Sequence, residues 1–185
     1  RVVTYNFDEG AWTTGTLDRS TWVGSTVYEQ PYATDYNASN TPTFPVVSGV
    51  SNGASIYYAH EVGVNQQNGD GTQTAITSFI KSGEFDLNGR QGVPGDGEFL
   101  MSMSRFVPDF KRISGNAKVT IFLNSFPQTT QTSSPLGPFT VNSTTTKVNT
   151  RARARFAAVQ IENENLNESW RYGTFRFDVR VDGRR

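Results

Sequence analysis

A chain of 185 residues with 35% hydrophobic content, including 13 Phe, 7 Tyr and 3 Trp, can bury a core as one large β domain or two small ones, and is neither disordered nor fibrous. The formal charge is zero, cysteine is absent and His60 is the single histidine, so disulfides, thiolate nucleophiles and thiolate zinc sites are excluded and no cofactor or metal is expected. No apolar run approaches the roughly 18 residues of a membrane helix, and the expectation is a globular β protein without membrane insertion.

The opening Arg1-Val2-Val3-Thr4-Tyr5 reads as a strand rather than a signal peptide. With no initiator Met, it suggests a fragment or a processed product. Short strands follow, separated by the long polar stretches 35–45 and 64–73, the kind found on the rim of a propeller or barrel. Residues 1–74 are therefore expected to form a blade-like or bridging β segment. No repeat of 20 to 50 residues is evident, so a complete propeller is not encoded, and open blade edges would need missing residues or a neighbouring subunit to cover them.

Thr74-Ala75-Ile76-Thr77-Ser78-Phe79-Ile80 is rich in β-branched residues and predicts a strand. Residues 88–98 carry too much Gly and Pro for an element interior and mark a loop and a possible module boundary. From residue 75 to 185 the expectation is an antiparallel β-sandwich or barrel. Its strands show in the alternation of Lys118–Leu123, Ala154–Ile161 and Thr174–Val181. Ile113-Ser114-Gly115-Asn116 and Asp182-Gly183 are predicted turns, and Ser133-Ser134-Pro135-Leu136-Gly137-Pro138 a Pro-rich loop.

Charge is unevenly spread. Residues 1–100 hold 4 basic and 11 acidic side chains and residues 101–185 hold 13 and 6, so the halves carry −7 and +7. Such asymmetry fits charges neutralised within an assembly, head-to-tail contact between copies, or a face turned toward a polyanion. In Arg151-Ala152-Arg153-Ala154-Arg155 a period of two puts three guanidinium groups on one strand face. That stripe fits a sheet face solvated or bridged to Asp109, Asp178 or Glu162, a subunit interface, or a surface passing DNA without holding it tightly. Asp182-Gly183-Arg184-Arg185 offers two further cations, either docked on an acidic neighbour or free in solvent. Trp170-Arg171 reads as a structural pair.

Catalytic readings are weaker. His60-Glu61 is the one place for imidazole chemistry, yet no Gly-x-Ser-x-Gly elbow exists and no second histidine is available, which favours core or capping duty. Asp8-Glu9, Glu84-x-Asp86 and Asp96-x-Glu98 have the spacing of a carboxylate pair, though acids beside glycine are ordinary turn residues. Gly69-Asp70-Gly71 and Gly95-Asp96-Gly97 lack calcium-loop spacing, and Asn142-Ser143-Thr144 is a glycan acceptor only in a secretory host. No enzyme is expected. Tyr28, Tyr32, Tyr36, Phe44, Tyr57 and Tyr58 are the residues that would line a carbohydrate- or receptor-binding surface.

An ordered series of motifs adds a resemblance. It starts with Trp12-(x)4-Leu17-(x)-Arg19-(x)2-Trp22, Tyr58-Ala59-His60-Glu61-Val62-Gly63 and Ser82-Gly83-Glu84-Phe85-Asp86-Leu87. It continues with Arg105-Phe106-Val107-Pro108-Asp109-Phe110, Gly137-Pro138-Phe139, Arg151–Arg155, Trp170-Arg171-Tyr172-Gly173 and Val181-Asp182-Gly183-Arg184-Arg185. Together they resemble the C-terminal region of the tail hub and nozzle structural proteins (tail tubular, packaged-DNA-stabilising type) of short-tailed bacteriophages. Departures are mild: the family form has glycine at the position of Ala154, Arg-Leu-Gly at Arg171-Tyr172-Gly173, and proline at Val181. The resemblance implies a virion tail protein, forming a homo-oligomeric ring of six copies around the DNA exit channel. Its partners would be neighbouring tail and adaptor proteins, with DNA only transiently in the channel. The subunit-interface or channel-facing candidates are Arg151, Arg153, Arg155, Arg184 and Arg185. The alternative is a carbohydrate- or receptor-binding β module of a phage tail.

Overall fold

The computed structural model describes residues 2–8, 10–17, 19–37, 54–67, 71–87, 97–126 and 135–184. The described chain is all-β. It contains β1 (Val2–Asn6), β2 (Ala11–Gly15), β3 (Thr21–Val23), β4 (Tyr32–Asn37), β5 (Ala54–Ala59), β6 (Asn65–Gln67) and β7 (Gln73–Ala75). There follow β8 (Ser78–Lys81), β9 (Phe99–Ser114), β10 (Ala117–Asn124), β11 (Pro135–Val141), β12 (Val148–Ala154), β13 (Phe156–Asn163) and β14 (Ser169–Arg184). Two compact units are present, Arg1–Gly63 with Gln67–Gln73, and Val64–Gln66 with Thr74–Arg185.

The first unit contains the antiparallel hairpin β1-β2 and the antiparallel sheet β3-β4-β5. Trp22, Ala33 and Tyr58 form one cross-strand row, in which Ala33 is buried at 2% exposure.

The second unit is a β-sandwich of the sheets β11-β10-β13-β8 and β12-β9-β14, with every described pairing antiparallel. Met101, Met103 and Phe106 of β9 and Ala152 of β12 share one core with Ala117, Val119 and Ile121 of β10, Val141 of β11, and Ala157, Val159 and Ile161 of β13. The core mixes small alanines with large side chains, the combination that lets two sheet layers interdigitate. Phe106, fully buried, stacks on Phe175 at 5.0 Å and meets Phe139 edge-on at 5.5 Å. From β8 onward the chain changes sheet at each connection except β10 to β11. The 16-residue strands β9 and β14 lie side by side, and Gly173 sits where an added Cβ would be 2.3 Å from the Asp109 carbonyl oxygen. Only glycine permits that approach.

Several local expectations change. Ala154–Ile161 is not one strand: β12 ends at Ala154 and β13 begins at Phe156, because the chain crosses between sheets at Arg155, whose N–H donates to the Asn124 carbonyl at 3.1 Å. Residues 74–80 divide between β7 and β8, with a break at Ile76-Thr77. Pro135–Pro138 opens β11 instead of a loop; β11 is bonded on one side only, where a missing proline N–H is tolerated, and the register shifts between Val119 and Ile121. Asp182-Gly183 is an irregularity within β14 rather than a turn, with Gly183 at φ 101°. Polar composition also hid strand at Asp35–Asn37 and Asn65–Gln67. The turn at Gly115-Asn116 is found, with Gly115 at φ 70°. Residues 88–96 of the predicted loop, and Ser133-Ser134, lie outside the described residues.

Candidate functional site: the basic face of the β12-β9-β14 sheet

Alternation builds this face. Along β12 the alanines Ala152 and Ala154 turn inward and are buried, so Arg151 and Arg153 are exposed on the opposite side. Along β14 Phe175, Phe177 and Val179 pack on the core, which sends Arg176, Asp178, Arg180 and Asp182 outward on alternate positions. The register then sets the rows: Arg153 and Arg180 flank Ser102, Asn149 and Asp178 flank Arg105, and Arg112 stands directly opposite Arg171.

Three ion pairs tie the face together. Arg105 Nε lies 3.0 Å from Asp178 Oδ2, Arg176 Nη2 3.0 Å from Asp109 Oδ2, and Arg153 Nε 2.6 Å from Asp182 Oδ2. Arg153 also donates to the Asp182 carbonyl at 2.9 Å. The arginines of these pairs are 50%, 68% and 59% exposed, so each pair contributes no more than about 1 kcal/mol and mainly orients its guanidinium group. Arg151, Arg180, Arg112 and Arg171 have no ion-pair partner among the described residues. Like charges directly opposite on a sheet destabilise it, so Arg112 and Arg171 favour an anionic neighbour.

The three strands of this sheet carry nine Arg and Lys against three Asp. The four strands of the facing sheet carry only Lys81, Lys118 and Glu162. The positive charge of the second half is thus concentrated on one layer of the sandwich.

The expected stripe is only partly assembled. Arg151 and Arg153 share the β12 face, whereas Arg155 sits at the corner between sheets with its guanidinium 5.9 Å over the Phe126 ring. The carboxylate partner is Asp182; Asp109 and Asp178 are taken by Arg176 and Arg105. Arg184 closes β14, and its side chain and Arg185 lie outside the described residues. Arg105, Arg176 and Arg180 were missed as members of the face, although Arg176-x-Asp178-x-Arg180-x-Asp182 has the period that reveals it.

The other candidates make the following contacts. His60 Nε2 accepts from Arg19 Nε at 3.2 Å, His60 packs 4.5 Å from Trp22, and the Arg19 guanidinium lies 3.8 Å over Tyr58. Burial and then the Arg19 charge lower the His60 pKa, only partly offset by Glu61, and the Nε2 lone pair is engaged by the Arg19 N–H. Tyr32 and Tyr57 stack at 5.0 Å with Tyr28 edge-on to Tyr32 at 5.3 Å, and Tyr28 and Tyr57 remain exposed. Tyr58 belongs to the His60 cluster, and the Tyr36 side chain and Phe44 lie outside the described residues. Glu84 bonds the Asn124 amide, and Asp86 accepts from the Gly97 N–H at 2.8 Å. Glu9, Asp70 and Asp96 lie outside the described residues. Trp170 packs on the core and donates to Asn163 Oδ1 at 3.2 Å.

Glu168, 6% exposed, gave no sequence signal. Burial by itself would raise its pKa, but hydrogen bonds from the Asn165 side chain and from the Asn165, Glu164 and Asn116 N–H groups outweigh it and hold the carboxyl below its ordinary value. It pins the loop between β13 and β14. Among the described residues no group of three His, Cys, Asp or Glu is placed to hold a metal ion. No protein-family model matches the chain, and no curated protein matches it.

Proposed function

We propose that this chain is a structural subunit of a short-tailed bacteriophage tail, a hub or nozzle component that assembles as a ring of six copies around the DNA exit channel and acts mechanically rather than as an enzyme. The single observation supporting this reading is the one-sided charge of the sandwich: nine cations and three aspartates on the β12-β9-β14 sheet of a chain whose net charge is zero. A surface of that kind is suited to packing against other protein. The motif resemblance is its other support; of those motifs, Arg105–Phe110, Gly137–Phe139, Arg151–Ala154 and Trp170–Gly173 lie on sandwich strands. The first unit is assigned to a larger blade-like or bridging element, completed by other chain segments or a neighbouring subunit.

Native mass spectrometry of the gene product carrying this sequence tests the reading. The expected result is a closed assembly near six copies. A stable monomer that binds glycans through the Tyr28, Tyr32 and Tyr57 cluster would replace it with the receptor-binding reading.

A further inference from the structure

We infer that the basic outer face of the β12-β9-β14 sheet meets the acidic N-terminal unit of a second copy of this chain in a head-to-tail contact. The inference rests on the ring reading and names the surfaces that would close it. The sheet's three strands carry nine cations and three aspartates, an excess of six positive charges. The N-terminal unit contains seven Asp and Glu against two Arg, an excess of five negative charges. One of those two, Arg19, is engaged with His60 and Tyr58. The opposing excesses nearly match within one chain of zero net charge, as expected when copies neutralise one another.

The pattern on the face favours protein over nucleic acid. Three arginines are each held by an aspartate on the same face, which fixes their geometry but sets carboxylates where a phosphate backbone would be repelled. Between these pairs Arg151 and Arg180, with no ion-pair partner among the described residues, are placed to meet carboxylates of a neighbour. Different patches on the two sides make the contact heterologous, the arrangement that produces rings when the rotation closes.

The test uses two charge-reversed variants of the full chain, Arg151→Glu/Arg180→Glu and Asp8→Lys/Glu29→Lys, at solvent-exposed positions. Each alone should weaken self-association by about a hundredfold, with an unchanged circular dichroism spectrum and melting temperature. Mixed together they should regain assembly as closed rings of alternating variants, because one junction joins the intact acidic unit to the intact basic face and the next joins the two reversed surfaces, whose charges are again opposite. Parental assembly should also weaken as salt is raised. Rings of parental mass from each folded variant on its own would overturn the interface and leave the ring reading standing, whereas a parental chain that is monomeric at every salt concentration would remove both. Arginine variants that assemble normally but lose affinity for a labelled 20-base-pair DNA would overturn the inference in favour of nucleic acid.

Discussion

The two units of this chain reach order by different means. Among the described residues, thirteen of the fourteen buried hydrophobic side chains belong to the sandwich, and Ala33 alone belongs to the N-terminal unit. In the latter, Phe7 is 85% and Trp12 69% exposed, and its sheets have two and three strands. A two-stranded hairpin is marginal on its own, and three strands become stable only with an apolar face covered. Local aromatic contacts provide part of what a core would: Tyr5 packs 4.6 Å from Trp12 and 4.9 Å from Phe7, and Trp22 packs on His60. The same β-rich composition gives a layer pair with its own core where all strands but the four-residue edge strand β8 run 7 to 16 residues, and an open, thinly covered unit where strands run 3 to 6 residues.

The largest expected effect lies in the sandwich. Phe106→Ala removes the centre of the aromatic cluster and should cost about 3–5 kcal/mol in urea unfolding followed by far-ultraviolet circular dichroism. An equal loss from Trp22→Ala would break the distinction between the units, because Trp22 is half exposed.

A second test sharpens it through Glu168. Its folded pKa lies below the ordinary 4.5, so the stability it contributes is fully present above that unfolded value and is lost as pH falls through the folded one. Glu168→Gln should lower stability by about 1–3 kcal/mol at neutral pH and flatten the acid limb of the stability curve. An unchanged acid limb would show that the carboxylate does not pin the β13–β14 loop.

The smallest effect belongs to the N-terminal unit. His60 has a folded pKa below 6.5, so its contribution is present above pH 6.5 and is lost as pH falls through the lower folded value, when protonation removes the acceptor of the Arg19 bond and adds a second cation beside it. As the one histidine of the chain, it can be titrated by NMR without assignment. A midpoint at or above 6.5 would dissolve the Arg19–His60–Trp22 cluster as an ordering device.

Legibility followed strand regularity. Lys118–Leu123 and Thr174–Val181 were visible because one face is apolar at every second residue. Pro135–Pro138 was misread because proline signals loops, and only its position on an edge strand explains its tolerance. Arg151 and Arg153 were found by the same alternation, but Arg155 was carried along wrongly, since a period of two continues on paper past the point where the backbone turns to the other sheet. Glu168 was invisible because its partners are backbone N–H groups, which every residue but proline has.

The amino-acid sequence by itself determined the β class, the inward and outward alternation of each long strand, and the opposite charges of the two halves, because these depend on residue type and a period of two. The tertiary structure decided which strands neighbour one another, that nine cations collect on one sheet, and which aspartate meets which arginine. Those properties come from pairing between residues far apart in the chain, as in Arg153 with Asp182 and Arg176 with Asp109, and register across strands is set by packing of the whole core rather than by any local run of residues.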